Sequence, residues 1–364
     1  STSEGMLSRS SDFSKLSIPG YDAALGLAGV ASAANIARSV GTFGLGYGSF
    51  NKINSTLTTG SNLRSVASEG NNYWGANASG GISYLGTGTS GNVYSTIGNT
   101  RVVSAQNGSL FFSTGSTTLG VHKIGSGLPT TTGQTAALII PTGTGSSPYG
   151  FQFNTAETVC YVADSRTTAG GGVQKWVNTA GTWALAYTIG VGTSTGAYGI
   201  AVDFYAGVNP RIYATVSNTS GTQVLYFDDN GTATPTLNVI STLLSTTFKA
   251  YRAVAFAPCT PSTWYADADA DGYGNVSTTL SYCTQPYGYV ANSTDCNDAA
   301  SSVNPGATEI CNSIDDNCSG SADEGLTFVN YYTDADGDGY CVGTATNACA
   351  SPGAGYATAD GDCN

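Results

Sequence analysis

The chain has 364 residues, of which only 10% are charged, and it contains 49 glycines. Its hydrophobic content of 40% is sufficient for a buried core and excludes a disordered chain. The formal net charge of −12 comes from an acidic C-terminal segment that would repel nucleic acid and anionic membranes, so it excludes binding to nucleic acid.

Residues 1–258 consist of short runs rich in valine, isoleucine, tyrosine, phenylalanine and threonine. Glycine, serine, asparagine and aspartate separate these runs, which is the pattern of strands joined by turns. The sequence therefore predicts an all-β region. The clearest predicted strands are residues 108–113, 173–177, 182–189, 211–216 and 223–227.

A long internal period is present in this region. Three related segments begin at Tyr149, Tyr198 and Tyr251, which are 49 and 53 residues apart. A unit of about 40–50 residues with four strands is typical of a propeller blade. We therefore predict a β-propeller of about five to seven blades and leave open how its ring closes. Loop-rich, disulfide- and calcium-stabilised repeats are expected to follow it.

The charge is divided sharply along the chain. Residues 1–260 contain all 12 basic residues and nine acids, a formal charge of +3, whereas residues 261–364 contain 15 acids and no lysine or arginine. This change in composition predicts a boundary near residues 258–261. The expected domains are a propeller-like domain (1–258), a first Cys/Asp repeat (259–325) and a shortened second copy (326–364).

Two segments that lie 67 residues apart each place three aspartates at alternate positions, with a glycine directly after the third. Alternating oxygens before a glycine turn are what a hard cation of calcium size requires. Without a cation, neighbouring carboxylates repel one another by roughly 1–4 kcal/mol per pair. Solvated acidic turns are the alternative interpretation. The two segments contain Asp267, Asp269, Asp271 and Gly272, and Asp334, Asp336, Asp338 and Gly339.

Seven of the nine cysteines follow residue 260, interleaved with these acidic loops, which favours an oxidising, extracellular setting. Disulfides are favoured over zinc because His122 is the only histidine and no paired CxxC motif is present. Cys160 lies in an apolar run and is expected to be a buried free thiol. Spacing makes Cys283 with Cys296, Cys349 with Cys363, and Cys311 with Cys318 candidate pairs.

The N-terminal region resembles a family of secreted bacterial propeller-like proteins. The resemblance implies a propeller architecture and export to the cell surface. It rests on residues 3–10, 18–22, 147–150, 161–164, 172–176 and 252–258.

Residues 264–325, and as a partial copy residues 332–364, resemble the metal-binding repeat of secreted bacterial surface proteins. They are more loosely similar to the calcium-binding repeats of thrombospondin. Ca²⁺ is preferred to Mg²⁺ because flexible multidentate loops suit the larger ion. Carried over by position, the resemblance implies the ligands Asp267, Asp269, Asp271, Tyr273, Asp295, Asp298, Asp315, Asn317, Ser319 and Asp323, and in the partial copy Asp334, Asp336, Asp338, Tyr340 and Asp362.

The sequence contains no GxSxG, HExxH or Walker motif, and His122 is expected to be an ordinary strand residue. We therefore expect no enzymatic activity. The predicted function is a calcium-stabilised structural protein of the cell surface or matrix, which self-associates into a homopolymer and neither binds nucleic acid nor inserts into membranes. The alternatives are a monomeric calcium-dependent adhesin that binds a glycan or cell, and a propeller enzyme of the lactonase or lyase type.

Overall fold

The structure is a computed structural model, and it divides the chain into two units. Unit 1 comprises Ser1–Thr260 and unit 2 comprises Pro261–Asn364. The residues that the structure describes are 5–24, 27, 29–33, 35–45, 50–55, 61–86, 91–192, 195–218, 221–244 and 250–361.

The described part of unit 1 forms five antiparallel sheets of four strands each, and each sheet uses its strands in chain order. Sheet 1 contains β1 (Ser8–Arg9), β2 (Leu16–Tyr21), β3 (Arg38–Phe43) and β4 (Phe50–Asn54). Sheet 2 contains β5 (Leu63–Glu69), β6 (Asn72–Asn77), β7 (Gly81–Tyr84) and β8 (Gly91–Tyr94). Sheet 3 contains β9 (Thr100–Gln106), β10 (Ser109–Thr114), β11 (Gly120–Ile124) and β12 (Ala136–Pro141). Sheet 4 contains β13 (Pro148–Phe153), β14 (Val159–Asp164), β15 (Gly172–Thr179) and β16 (Thr182–Ile189). Sheet 5 contains β17 (Gly196–Asp203), β18 (Arg211–Asn218), β19 (Gly221–Asp228) and β20 (Asn238–Leu244).

Local turn chemistry accounts for the tight hairpins. Asn107 and Gly108 join β9 to β10 with φ values of 49° and 69°. Two consecutive positive φ values match the right-handed twist of a two-residue hairpin, and Asn-Gly is the pair that tolerates them best. The turn fixes the register that places Ser109 opposite Gln106. The meander of each sheet is thus specified by short sequence signals.

The first strands of successive sheets lie side by side. A Cβ atom on Gly150 of β13 would lie 2.9 Å from the Tyr198 carbonyl oxygen and from the Ile200 nitrogen of β17. Only glycine allows two backbones to approach so closely. Apolar side chains fill the spaces between neighbouring sheets, and the buried cluster around Tyr161, Ile200 and Phe227 is one example. The all-β prediction is confirmed and the sheets are blade-like, while the number of blades and the closure of the ring stay predictions.

Unit 2 has short sheets and a small apolar core. One sheet has the order β22-β21-β23, with β21 at Ser262–Ala266, β22 at Asn275–Tyr282 and β23 at Tyr289–Val290. The other has the order β26-β24-β25-β27, with β24 at Val329–Thr333, β25 at Tyr340–Ala348, β26 at Tyr356–Ala357 and β27 at Ala359–Asp360. Among the described hydrophobic residues of this unit, only Val303 and Cys341 are buried. A unit with so little buried apolar surface needs disulfides or metal ions for its stability.

Candidate metal centre

The loop between β21 and β22 folds around its own carboxylates. The backbone N–H groups of Asp271 and Gly272 donate to the two carboxylate oxygens of Asp267, at 3.1 and 3.2 Å. Gly272 has a φ of +93°, which glycine adopts without strain. The turn brings Asp267, Asp269 and Asp271 together, so that one oxygen of each lies within 4.8 Å of the others.

A second segment adds two more carboxylates to this loop. One oxygen each of Asp269, Asp295 and Asp298 also lie within 4.8 Å of one another. The Ala268 N–H donates to Asp298 Oδ1 at 2.6 Å, and the Asp295 N–H donates to the Gly274 carbonyl oxygen at 3.2 Å. These bonds hold the two segments together. Cluster A is defined as Asp267, Asp269, Asp271, Asp295 and Asp298.

Several oxygens of cluster A are buried without a donor. The Oδ2 atoms of Asp269, Asp271 and Asp295 are buried, and none of them has a hydrogen-bond partner among the described residues. Asp295 is only 9% exposed. Burial raises the pKa of its carboxyl group, and the charges of Asp271 and Asp269 raise it further. Because buried anionic oxygens are costly unless they are paired, this arrangement fits a bound cation.

A second group of carboxylates forms around the loop that begins at Asp315. The N–H groups of Ser319 and Gly320 donate to its two carboxylate oxygens, at 2.9 and 2.7 Å. Asp315 thereby organises a turn like the one around Asp267. One oxygen each of Glu309, Asp315 and Glu324 lie within 4.8 Å of one another, and these three residues define cluster B.

Glu324 connects the polar side chains of the loop to cluster B. Its Oε1 atom accepts hydrogen bonds from Asn317 Nδ2 and Ser319 Oγ, each at 2.6 Å. Its Oε2 atom is buried and has no partner in the described part of the chain. Asn317 and Ser319, which the resemblance named as ligands, therefore lie beside cluster B as hydrogen-bond donors to Glu324.

The carboxylate of Asp323 is hydrogen-bonded to backbone groups, and its predicted use as a metal ligand stays a prediction. Its carboxylate accepts hydrogen bonds from the N–H groups of Asn312 at 2.9 Å and Ser313 at 3.1 Å. Its own N–H donates to Glu309 Oε2 at 2.9 Å. The neighbouring Glu324 supplies the converging oxygen, so sequence reasoning missed Glu309 and Glu324 as site residues. The adjacent acids at 323 and 324 were the available signal, but spacing alone does not show which one points inward.

The second repeat reproduces the turn of the first. The N–H groups of Gly337 and Gly339 donate to the two carboxylate oxygens of Asp334, at 2.8 and 3.1 Å. Asp334, Asp336 and Asp338 lie in this turn. Asp362 lies outside the described residues.

The two tyrosines that follow these glycines occupy equivalent positions. The Tyr273 N–H donates to Asp271 Oδ1 at 2.8 Å, and the Tyr340 N–H donates to Asp338 Oδ1 at 2.9 Å. Each bond closes the turn behind the third aspartate of its triplet. Their use as carbonyl ligands, like the other metal assignments, stays a prediction.

One disulfide joins clusters A and B. Cys296 follows Asp295 directly and is bonded to Cys318, with a Cα–Cα distance of 5.6 Å. Cys318 lies within the loop that Asp315 organises. A second disulfide, between Cys311 and Cys349, links the two repeats with a Cα–Cα distance of 5.6 Å.

The predicted pairing of the cysteines is wrong, although five of the six predicted cysteines are disulfide-bonded. The structure pairs neither Cys283 with Cys296 nor Cys311 with Cys318, and Cys349 is bonded to Cys311 instead of Cys363. Cys283 is also disulfide-bonded, and Cys363 lies outside the described residues. Spacing favoured short loops, but a disulfide requires Cα atoms about 4.4–6.8 Å apart. Cys296 and Cys318, which are 22 residues apart in sequence, and Cys311 and Cys349, which are 38 apart, reach that separation only in the folded chain.

His122 and Cys160 belong to the core of unit 1. His122 Nε2 lies 2.9 Å from the Thr118 carbonyl oxygen, and its ring stacks on Phe112 with centroids 4.9 Å apart. Cys160 is a fully buried free thiol, as predicted, and burial raises its pKa. A buried thiol with a raised pKa is a poor nucleophile.

Residues 295–324 match the model of one protein family, Cu-binding MopE, which is described as a "Putative metal-binding motif". The matched segment begins at Asp295 of cluster A and ends at Glu324 of cluster B. The comparison with curated proteins finds no match. A metal-binding motif is therefore supported by both the family model and the geometry, whereas the identity of the ion belongs to the proposal below.

Solved structures similar to this chain include propeller proteins. A 6-phosphogluconolactonase, described as putative, from Bacteroides fragilis is 17% identical, with 66% of this chain and 71% of that chain covered and a TM-score of 0.43. The periplasmic gluconolactonase of Pseudomonas aeruginosa is 14% identical, with 67% and 73% covered and a TM-score of 0.44. The Cps50 (Swd1) β-propeller domain of Myceliophteria thermophila is 6% identical, with 78% and 98% covered and a TM-score of 0.42.

The prediction that this chain is not an enzyme is contradicted by these similarities, and we withdraw it. Two of the three similar structures are named as lactonases. At these identities and TM-scores, the similarity carries no argument for a lactonase substrate or mechanism in this chain. Among the described residues, no helix has the length and apolar character needed to cross a bilayer.

Proposed function

We propose that this chain is an exported, calcium-binding surface protein. In this proposal, Ca²⁺ ions fold and stiffen the acidic unit 2, which follows the propeller-like unit 1 in the chain. Six cysteines in the described part of the chain are disulfide-bonded, which supports an extracellular or periplasmic location, because structural disulfides persist in oxidising compartments.

The observation that carries the proposal is the set of buried, unpartnered carboxylate oxygens in clusters A and B. They belong to Asp269, Asp271, Asp295 and Glu324. Residues 261–364 contain 15 acids and no lysine or arginine, so no basic side chain of unit 2 neutralises them. Since the converging oxygens exist only in the folded chain, the free energy of cation binding becomes free energy of folding.

The donor set favours Ca²⁺ over copper. Carboxylates are hard oxygen ligands, whereas copper is selected by thiolate, thioether and imidazole groups. The disulfide between Cys296 and Cys318 removes two thiolates from the neighbourhood of both clusters. His122, the only histidine of the chain, lies in unit 1. Flexible loops with several carboxylates also suit Ca²⁺ better than Mg²⁺, which requires near-ideal octahedral geometry.

Isothermal titration calorimetry of the full chain tests this proposal. After removal of divalent ions, Ca²⁺ is titrated in parallel with Mg²⁺ and Cu²⁺. We expect saturable Ca²⁺ binding that is tighter than Mg²⁺ binding, together with a higher melting temperature of unit 2 in Ca²⁺. Binding of Cu²⁺ that Ca²⁺ does not displace, or no heat with Ca²⁺, would refute the proposed ion.

A further inference from the structure

The segment 251–258 occupies the position of a sixth first strand in unit 1. A Cβ atom on Gly199 of β17 would lie 2.9 Å from the Arg252 carbonyl oxygen and from the Val254 nitrogen. A Cβ atom on Gly150 of β13 would lie at the same distance, 2.9 Å, from the Tyr198 carbonyl oxygen and the Ile200 nitrogen of β17. The segment therefore lies beside β17 in the way that β17 lies beside β13.

This segment lacks the partner strand that every other first strand has. Strands β1, β5, β9, β13 and β17 each pair antiparallel with the next strand of their own sheet. Within the described residues, no backbone N–H or C=O group from 252 to 258 is bonded to another backbone group. Residues 251–256 are only half-buried. The Ala257 carbonyl oxygen accepts a hydrogen bond from Arg9 Nη1 at 3.4 Å. A segment whose backbone groups have no backbone partner can accept a further β-strand.

The surroundings of the segment are apolar and basic. Phe256 packs edge-on against Tyr213 with ring centroids 5.6 Å apart, and the Arg9 guanidinium lies 5.1 Å from the centre of the Phe256 ring. The Arg252 guanidinium lies 4.8 Å from the centre of the Tyr198 ring and makes no salt bridge among the described residues. A strand with acidic neighbours would complement this charge.

Strand β22 of unit 2 is uncharged itself but lies next to an acidic residue of cluster A. Strand β22 is at the edge of its sheet, is eight residues long and has no charged residue. Residues 276–279 of this strand are exposed, and Val276 is 63% exposed. Its first residue, Asn275, forms a bridge with Asp295 of cluster A. Long uncharged edge strands readily pair with another chain.

We propose that the segment 251–258 of one copy accepts strand β22 of a second copy by strand addition. The opposite formal charges of the two contributing regions, +3 for residues 1–260 and −15 for residues 261–364, favour this arrangement. Pairing of two 251–258 segments across a two-fold axis would instead bring Arg9 and Arg252 of both copies together. A contact between two different surfaces does not close on itself at the first pair, so repetition generates a ring or a filament.

Matched lysine substitutions in the two repeats provide the test. Thr279→Lys places a charge on the exposed edge strand β22, and Thr346→Lys makes the same change 67 residues later in β25. Sedimentation velocity of the full chain in saturating Ca²⁺ measures assembly over a range of protein concentrations. We expect Thr279→Lys to raise the concentration for half-assembly about tenfold, a change worth about 1.4 kcal/mol, and Thr346→Lys to have little effect. A synthetic peptide of residues 275–282, but not its scrambled version, should inhibit assembly of the wild-type chain.

Three results would overturn the inference. These are a wild-type chain that stays monomeric at all concentrations, equal effects of the two lysine substitutions, and slow amide exchange of residues 252–258 in dilute monomer. The last result would show that the edge is paired within one chain.

The inference rests on the proposed function only because β22 must be folded. Calorimetry measures calcium binding separately from assembly, so the two proposals can fail independently. Calcium binding without assembly overturns the inference and leaves the proposed function intact. Assembly that Thr279→Lys weakens selectively, in a chain without calcium binding, supports the inference and refutes the proposed function.

Discussion

Replacement of Asp295 by asparagine should have opposite effects with and without calcium. The substitution keeps the size of the side chain and an oxygen that can accept the Asn297 N–H, which lies 2.7 Å from Oδ1. It removes one negative charge from cluster A. It also removes a carboxylate ligand from a residue that is only 9% exposed.

The metal-free chain should gain stability from this change. Asp295 shares the site with Asp269 and Asp298, whose oxygens lie within 4.8 Å. Like charges at about 4 Å repel by roughly 1 kcal/mol in water and roughly 4 kcal/mol at the effective dielectric of a protein surface. Because Asp269 and Asp298 are partly exposed and screened, we expect a gain near the lower value, about 1 kcal/mol.

The calcium-bound chain should lose stability. If the lost ligand weakens binding about 100-fold, Ca²⁺ at about 100 times the wild-type dissociation constant stabilises the variant by only about 0.4 kcal/mol, compared with about 2.7 kcal/mol for wild type. The calcium-dependent loss is therefore about 2.3 kcal/mol. Two effects of opposite sign cannot arise from a purely structural role of Asp295.

Denaturant unfolding of the full chain in Ca²⁺ and in EGTA measures both effects. Asp316→Asn is the matched control, because Asp316 is 3% exposed and accepts hydrogen bonds from the Ile310 N–H at 3.1 Å and from Asn312 Nδ2. Its replacement should destabilise the chain similarly in both solutions. A loss of stability for Asp295→Asn that is equally large in Ca²⁺ and in EGTA would show that Asp295 does not bind calcium.

Three further predictions concern other parts of the chain. Replacing Cys296 and Cys318 by serine should lower unfolding free energy by about 3 kcal/mol, since their disulfide closes a 22-residue loop, and should weaken calcium binding measured by calorimetry. Gly150→Ala should lower the melting temperature of unit 1, because overpacking against the backbone of β17 costs about 1–3 kcal/mol. Burial lowers the pKa of His122. Unfolded histidine takes up its proton near pH 6.5, so stability should fall as pH decreases from about 6.5 towards the folded pKa, and His122→Gln should abolish that part of the pH dependence of unfolding.

Each of these predictions has an internal comparison. Replacing Cys311 and Cys349, which do not join clusters A and B, should destabilise the chain without an equal loss of calcium affinity. Gly207→Ala should be nearly neutral, because a Cβ atom there would meet no atom within 4 Å. The first prediction is contradicted if the two cysteine pairs change calcium affinity equally. The second is contradicted if the two glycine substitutions change the melting temperature equally. The third is contradicted if His122→Gln leaves the pH dependence of unfolding unchanged.

Local sequence signals predicted much of the fold because they act over a few residues. Alternating apolar runs and turn pairs such as Asn107-Gly108 specify strands and hairpins directly. The 49-residue spacing of Tyr149 and Tyr198 reflects the repeated packing of first strands, which the close approach at Gly150 explains. The number of blades and the closure of a ring depend on contacts between distant segments, so periodicity does not determine them.

The candidate site was predictable to the extent that its residues are close in sequence. The triplet at Asp267, Asp269 and Asp271 follows from the turn chemistry of one loop. The positions of Asp295 beside Asp269 and of Glu324 beside Asp315 depend on how separate loops pack against each other. The disulfide partners were mispredicted for the same reason, because spacing along the chain does not report the distance between Cys296 and Cys318 in space.

A crystal structure of the full chain grown in Ca²⁺ would show directly whether cluster A binds the ion. We predict a calcium ion in cluster A with oxygen ligands from Asp269, Asp271 and Asp295 at about 2.3–2.6 Å. A well-resolved map in which these carboxylates turn outward into water, with no ion between them, would contradict it.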